Sequence, residues 1–321
     1  MASEVLASIP LTSLPRLSQG KVRDLFSLPE QDGEKPTLLF VTSDRISAYD
    51  VILKNGIPTK GAILTLLSAK WFQVLSDRVP GLKHHFLHLG PPATPGLLTA
   101  DEQKMLRGRS MTVRRLKIFP IEAIGKLPLR GYVTGSAWGE YQKDQTIHTL
   151  PQPAGLAQCA RLPQPIYTPS TKAELGDKDL NISPDQARAI VGDKYASRIE
   201  DLALACYKAG AAYAEERGII IADTKFEFGL DEETDEIYLV DEVLTPDSSR
   251  FWSEADYQVG RDQDSFDKQV LRNWLTENGL KAKPDVEMPP EVVEKTKARY
   301  TDVFKRLTGV SLEDALNKLP N

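Results

Sequence analysis

The run Ile219-Ile220-Ile221-Ala222-Asp223-Thr224-Lys225-Phe226-Glu227-Phe228-Gly229 constrains this chain more than any other segment. Its apolar opening starts a strand. From Asp223 onward side chains alternate, so Asp223, Lys225 and Glu227 share one face and Phe226 and Phe228 the other. A second strand, Ile237-Tyr238-Leu239-Val240, follows the polar segment 230–236, and the pair predicts an antiparallel hairpin. Depending on register, Asp241 or Glu242 arrives across from the polar face. Charge alternation on an exposed hairpin is common. Carboxylates converging from two paired strands also suit Mg²⁺, which takes one or two of them and fills its shell with water and phosphate oxygens. Lys225 among them can hold a phosphate or a substrate carboxylate.

Both kinds of element flank the hairpin. Thr37–Thr42 and residues 111–116 read as strands, and residues 61–75 carry apolar positions at helical spacing. Pro120 opens a connection to a second region, and the domain boundary is expected near it. Residues 145–169 are loop-like. Ser183-Pro184-Asp185-Gln186 is a helix start, with a Ser cap, Pro in the first turn and Gln three positions after the Ser. That helix breaks near Gly192-Asp193 and resumes with Ile199, Leu202, Cys206, Ala209 and Tyr213 on one face. Two further apolar stripes, at 266–275 and 292–307, form a helical tail. The pattern is α+β, in three parts: a β-rich lobe over residues 1–118, a mixed domain over 119–260, and a helical appendage over 261–321.

A net charge of −5 argues against electrostatic binding to nucleic acid, so phosphate chemistry must come from local basic residues. The two cysteines, Cys159 and Cys206, lack a disulfide or zinc pattern and fit a reducing compartment. No apolar run approaches the ~18 residues of a membrane span. The first twenty residues resemble neither a secretory signal nor a transit peptide. These features point to a cytoplasmic protein that uses no membrane.

Several polar segments carry candidate ligand contacts. Thr245-Pro246-Asp247-Ser248-Ser249-Arg250 ends in an arginine able to make a bidentate contact with phosphate or carboxylate, and Asp247 can accept from a ribose hydroxyl. An Asx-type turn with a structural arginine explains the same residues. Gly20-Lys21-Val22-Arg23 joins a glycine that permits close approach to two cations on one strand face, a way to cover nucleotide phosphates. Arg130-Gly131-Tyr132-Val133-Thr134-Gly135-Ser136 sets small residues and an arginine where an anion can approach. Thr168-Pro169-Ser170-Thr171-Lys172 reads as a loop of hydroxyls with a lysine. His84, His85 and His88 have helical ligand spacing but lie in a loop without an acidic neighbour. No G-x-S-x-G elbow and no G-x-G-x-x-G after a strand occur, which disfavours covalent catalysis and a dinucleotide fold.

Taken in order, these segments, with Ser43-Asp44-Arg45-Ile46-Ser47-Ala48-Tyr49-Asp50 and Asp241-Glu242-Val243-Leu244, resemble the SAICAR synthetase family over residues 20–252. The tail is similar to that of its longer, monofunctional fungal members. The resemblance implies a β-rich lobe covering the nucleotide of an ATP-grasp-like second domain. It implies a reaction of ATP, carboxyaminoimidazole ribonucleotide (CAIR) and L-aspartate giving the succinocarboxamide (SAICAR), ADP and phosphate. By position, Gly20, Lys21 and Arg23 would cover the ATP phosphates, and Arg115 and Lys117 would flank a hinge whose backbone meets adenine. Glu227 and Asp241 would hold Mg²⁺. Arg130, Ser136, Asp247 and Arg250 would hold the ribonucleotide, and Asp44 and Ser47 would help close the substrate site. Lys225, Lys172 and Arg250 are then the catalytic cations.

The chemistry asks for such parts. A carboxylate is a poor electrophile, and phosphorylating that of CAIR would give an acyl phosphate open to the aspartate amine. That step needs positioning and charge neutralisation rather than a protein nucleophile. One departure from the family stands at Gly176-Asp177-Lys178-Asp179, where Lys178 replaces a frequent His whose pKa is far lower. The rival readings are an ATP-dependent small-molecule kinase and a nucleotide-binding module without catalysis. The tail could cover a dimerisation surface, so a monomer is expected.

Overall fold

Alternating apolar residues build a first antiparallel sheet. The elements run β1 (Arg16–Gln19), β2 (Arg23–Ser27), β3 (Thr37–Thr42), the short pair β4 (Ser47–Ala48) and β5 (Val51–Ile52), α1 (Lys60–Arg78), β6 (Phe86–Leu89), α2 (Ala100–Leu106) and β7 (Ser110–Arg114). The sheet order is β1-β2-β3-β7-β6. The computed structural model describes residues 5–30, 32–125, 136–162, 166–172 and 180–320.

The second part runs β8 (Lys117–Gly125), α3 (Ser136–Asp144), the ribbon β9 (Thr146–Ile147) and β10 (Leu150–Pro151), β11 (Thr168–Thr171), α4 (Pro184–Val191), α5 (Asp193–Glu215), β12 (Ile219–Asp231), β13 (Glu236–Val240) and β14 (Ser249–Ser253). Its sheet order is β11-β8-β12-β13, with β14 also on β12. The expected hairpin is β12–β13, paired from Glu227↔Val240 to Asp231↔Glu236. Ser183 caps α4 with a full capping box, and the helix stops at Gly192 (φ 83°) before α5 resumes.

Two readings change. Pro120 opens no connection but lies within β8, where residues 119–121 stand opposite Phe228 alone, between the pairs Glu227↔Glu122 and Gly229↔Ile118. That bulge accommodates a residue with no N–H to donate. Thr168–Thr171 is a strand rather than a loop, and β11 is the sheet edge, where Pro169 is tolerated.

The tail comprises α6 (Gln269–Glu277), α7 (Pro290–Thr308) and α8 (Leu312–Asn317). Expected as an appendage, it contributes to the principal core: Tyr300, Val303, Phe304 and Leu307 join a cluster with Trp71 and Phe72 of α1, Tyr207 of α5 and Phe226 of β12. Leu271, Leu275, Met288 and Val292 enclose Ile46, Ala48, Leu53 and Ile57 of the first lobe. The apolar stripe of α7 ends at Gly309, whose φ of 77° supplies the left-handed cap. Phe304 is 1% exposed. Phe304→Ala is therefore expected to destabilise the protein by about 3–5 kcal/mol in urea denaturation, and a loss below about 1 kcal/mol would mean the tail packs loosely.

Candidate active site

β13 and β14 lie end to end on one edge of β12. Glu227 pairs with Val240 and with Glu122 of β8, whereas Thr224 pairs with Ser249 and with Gly125, so β8 alone occupies the opposite edge. The chain between Val240 and Ser249 must leave the sheet, and it does so beside Lys225 and Glu227. Its exit is strained, with Asp241 and Leu244 at φ 62° and 51°. The Lys225 N–H returns to the Ser248 carbonyl at 3.2 Å. Thr245 Oγ1 donates to Glu242 at 2.7 Å. Buried Leu244 reaches α5 at Gly210, where an added Cβ would fall 2.6 Å from the leucine Cδ1.

The polar face of β12 meets this loop in a dense ionic cluster. Lys225 Nζ donates to Glu122 Oε1 at 2.7 Å and lies 3.2 Å from Glu227 Oε1. Lys172 holds the other Glu227 oxygen. Arg23 pairs with Asp241 and, at 2.9 Å, with Glu242. Ser170 Oγ lies 3.4 Å from the second Glu122 oxygen. Burial would push Lys225 down, but Glu227, Glu122 and Asp241 outweigh it and raise the ammonium pKa, so the lysine stays charged. Burial would raise Asp241, yet Arg23, Lys225 and Lys172 draw it down to about 2. Burial raises neighbouring Glu242. Asp241 is thus the firmer anion of the adjacent two.

Among the described residues, four carboxylates face three cations, leaving surplus negative charge for a divalent ion. No group of three or more metal-ligating side chains occurs among the described residues. Mg²⁺ requires only one or two hard carboxylate oxygens, and Glu227 with Asp241 fits that need. Metal entry would displace the Lys172 and Arg23 contacts, freeing those cations for phosphate oxygens.

Other candidates lie elsewhere. Arg250 makes a two-pronged pair with Asp223 across β12–β14, with Nε 2.9 Å from Oδ1. Asp247, expected to accept from a ribose, is enclosed: Lys60 and Lys268 reach Oδ2 at 2.8 and 3.1 Å, and Tyr300 donates to Oδ1 at 2.7 Å. Asp44 is fully buried, accepting from the Leu6 and Gly61 N–H groups and from Arg109. Its role here is to pin α1, while Ser47 lies half-buried on β4. Gly20 and Lys21 occupy the β1–β2 turn rather than a strand, and Lys21 pairs with Asp50 at 2.6 Å. Arg115 is exposed between β7 and β8, and Lys117 on β8 pairs with Glu232. Ser136 opens α3. Arg130 and residues 176–179 fall outside the described residues.

Sequence reasoning missed Glu122, Lys60, Lys268, Tyr300 and Arg45. Arg45 staples the Gly20–Lys21 turn by donating to both carbonyls while it pairs with Asp24. A lysine opening an apolar helix, as Lys60 does, was the one available signal. Among the described residues, the histidines join no group of three or more metal-ligating side chains. His85 is buried beside Phe40 and Phe72, and its backbone N–H donates to the Leu239 carbonyl, tying the first lobe to β13.

The model of the SAICAR synthetase family matches residues 16–289. The phosphoribosylaminoimidazole-succinocarboxamide synthase of Saccharomyces cerevisiae is 50% identical over 302 residues, covering 92% of this chain and 95% of its own. A solved structure of SAICAR synthase from Saccharomyces cerevisiae complexed with SAICAR superposes with a TM-score of 0.81 at 47% identity, covering 97% of this chain and 99% of its own. A type-2 SAICAR synthetase in complex with ADP shares the fold, with a TM-score of 0.64 at 24% identity over 92% of this chain and 98% of its own.

Burial, opposed by Asp241 and reinforced by His84 and Arg23, pushes His85 down to about 3. Unfolded, it titrates near 6.5. The neutral folded ring therefore contributes stability fully present above pH 6.5 and lost as pH falls from there toward 3. Between pH 7 and 5.5 the wild type is expected to lose about 1 kcal/mol more than His85→Phe. Denaturant melts of both proteins at the two pH values check this; equal losses would mean that His85 titrates normally.

Proposed function

The chain belongs to the SAICAR synthetase family, and from that premise we propose how its own residues carry the activity. It is an ATP-dependent carboxylate–amine ligase of purine biosynthesis that condenses L-aspartate with CAIR to give SAICAR, ADP and phosphate. The observation that carries the reading of the site is the cluster of Glu122, Lys225, Glu227, Lys172, Arg23 and Asp241 at the break between β13 and β14.

ATP lies between the lobes in an ATP-grasp-like arrangement, its adenine against the backbone of residues 115–118, with Arg115 and Lys117 at the rim. The Gly20–Lys21 turn closes over the phosphates. Glu227 and Asp241 would hold Mg²⁺, which when bound would neutralise phosphate charge and help orient the γ-phosphoryl group. Lys225 and Lys172 neutralise the oxygens of the phosphoryl group in flight. The CAIR carboxylate oxygen attacks phosphorus, ADP departs, and the acyl phosphate carries the activated carbonyl. The aspartate nitrogen then bonds to that carbon, phosphate leaves, and the amine proton passes to a carboxylate or to the phosphate. Arg130, Ser136 and Arg250 hold the ribonucleotide, with Asp247 behind them. Ser47 borders the aspartate side, and Asp44 fixes its loop. The lobes correspond to residues 1–118 and 119–260, with 261–321 packed on both, and the enzyme works as a cytoplasmic monomer.

Coupled measurement of ADP release tests the activity: release is expected only when CAIR and L-aspartate are both present, with a product of the succinocarboxamide mass. Release with an unrelated alcohol instead would assign a kinase. Glu227→Gln is expected to lower Mg²⁺-dependent turnover by about 10²-fold or more while shifting the melting temperature by only a few degrees. Parallel losses of stability and turnover would remove Glu227 from the metal site.

A further inference from the structure

Asp247 is where three distant parts of the chain meet. Lys60 opens α1 in the first lobe, Lys268 precedes α6, and Tyr300 lies in the middle of α7. Lys60 is fully buried, and Lys268 and Asp247 nearly so. Two ammonium groups converge on one carboxylate oxygen, and a single hydroxyl occupies the other. Asp247 itself stands six residues after Asp241 and three before Arg250, within the loop that carries the candidate site. Tyr300 lies beyond residue 289, where the match to the family model ends.

We infer that Tyr300 is a positioning residue of the ligase site, acting through Asp247 to hold the 241–250 segment in register with β12. The inference rests on the activity proposed above. The ring of Tyr300 belongs to the hydrophobic core, whereas its hydroxyl donates to Asp247 in this ionic cluster, so packing and positioning separate at one atom. Burial and the neighbouring Asp247 raise the phenol pKa well above its ordinary value, which keeps the proton available for donation. Without the hydroxyl, Oδ1 is a buried acceptor without a donor, and the carboxylate can turn toward the two lysines. Such a turn would carry Arg250 and Asp241 with it.

Tyr300→Phe deletes that one atom. Loss of a hydrogen bond to a buried charge predicts about a tenfold rise in the KM for CAIR, with the KM for ATP within about twofold of wild type. Hydrogen exchange of amides 241–250 is expected to accelerate about tenfold while α7 keeps its protection. Wild-type exchange across 241–250 overturns the inference whatever the turnover, so its failure is distinct from failure of the ligase reading. A fall in kcat alone, with KM for CAIR unchanged, also overturns it, because that pattern reports fewer folded molecules. The double variant with Asp247→Asn should raise KM no further than Asp247→Asn does; additive effects would mean that Tyr300 acts independently. Should Tyr300→Phe not fold, Lys268→Gln removes another arm of the clamp, and unchanged exchange and KM there overturn the inference.

Discussion

β12 can pair with two strands on one edge only if the chain between them leaves the sheet. That geometric requirement makes the site. The thirteen-residue strand offers Thr224 to β14 and Glu227 to β13, and the eight residues between those partners bulge out where Lys225 and Glu227 present their charges. A continuous hairpin would have covered this edge with backbone hydrogen bonds. The break instead leaves side chains, a left-handed Asp241 and one carbonyl of Ser248 around Lys225.

Electrostatics then follow from burial. Lysine and arginine brought into a low-dielectric pocket must be paired, and here each has a carboxylate within contact distance. The cations and carboxylates here pair with one another. On the proposed reading, a divalent ion and a polyphosphate would exchange into the same pairs: carboxylates to the metal, lysines and Arg23 to phosphate oxygens. The site is therefore preorganised without leaving an isolated buried charge.

A short series of contacts runs from the first lobe to this loop. Arg45 fixes the Gly20–Lys21 turn; its neighbour Asp44 binds the N–H of Gly61; the residue before Gly61 is Lys60, which pairs with Asp247. An added Cβ at Gly61 would fall 2.3 Å from the Thr42 carbonyl, so the approach depends on glycine. The helical tail closes the same series through Lys268 and Tyr300. What reads in sequence as an appendage is thereby part of the core and of the ionic frame.

The local features were legible because they depend on near neighbours: the alternation of Lys225 and Glu227, the cap at Ser183, the break at Gly192, and the strand Thr37–Thr42. The motif segments also sufficed to identify the family and hence the reaction. Long-range partnerships were not legible. Nothing near Asp247 in sequence announces Tyr300, fifty-three residues away, nor does β8 announce that Glu122 will face Lys225 across 103 residues. Asp44 and Asp247 look like free ligand contacts in isolation, and only folding supplies the donors that enclose them. Sequence by itself determined the β12–β13 hairpin, the charges and the chemistry they suit. Tertiary structure decided which charges meet, because burial forces each to find a partner and chain topology determines which partners are within reach.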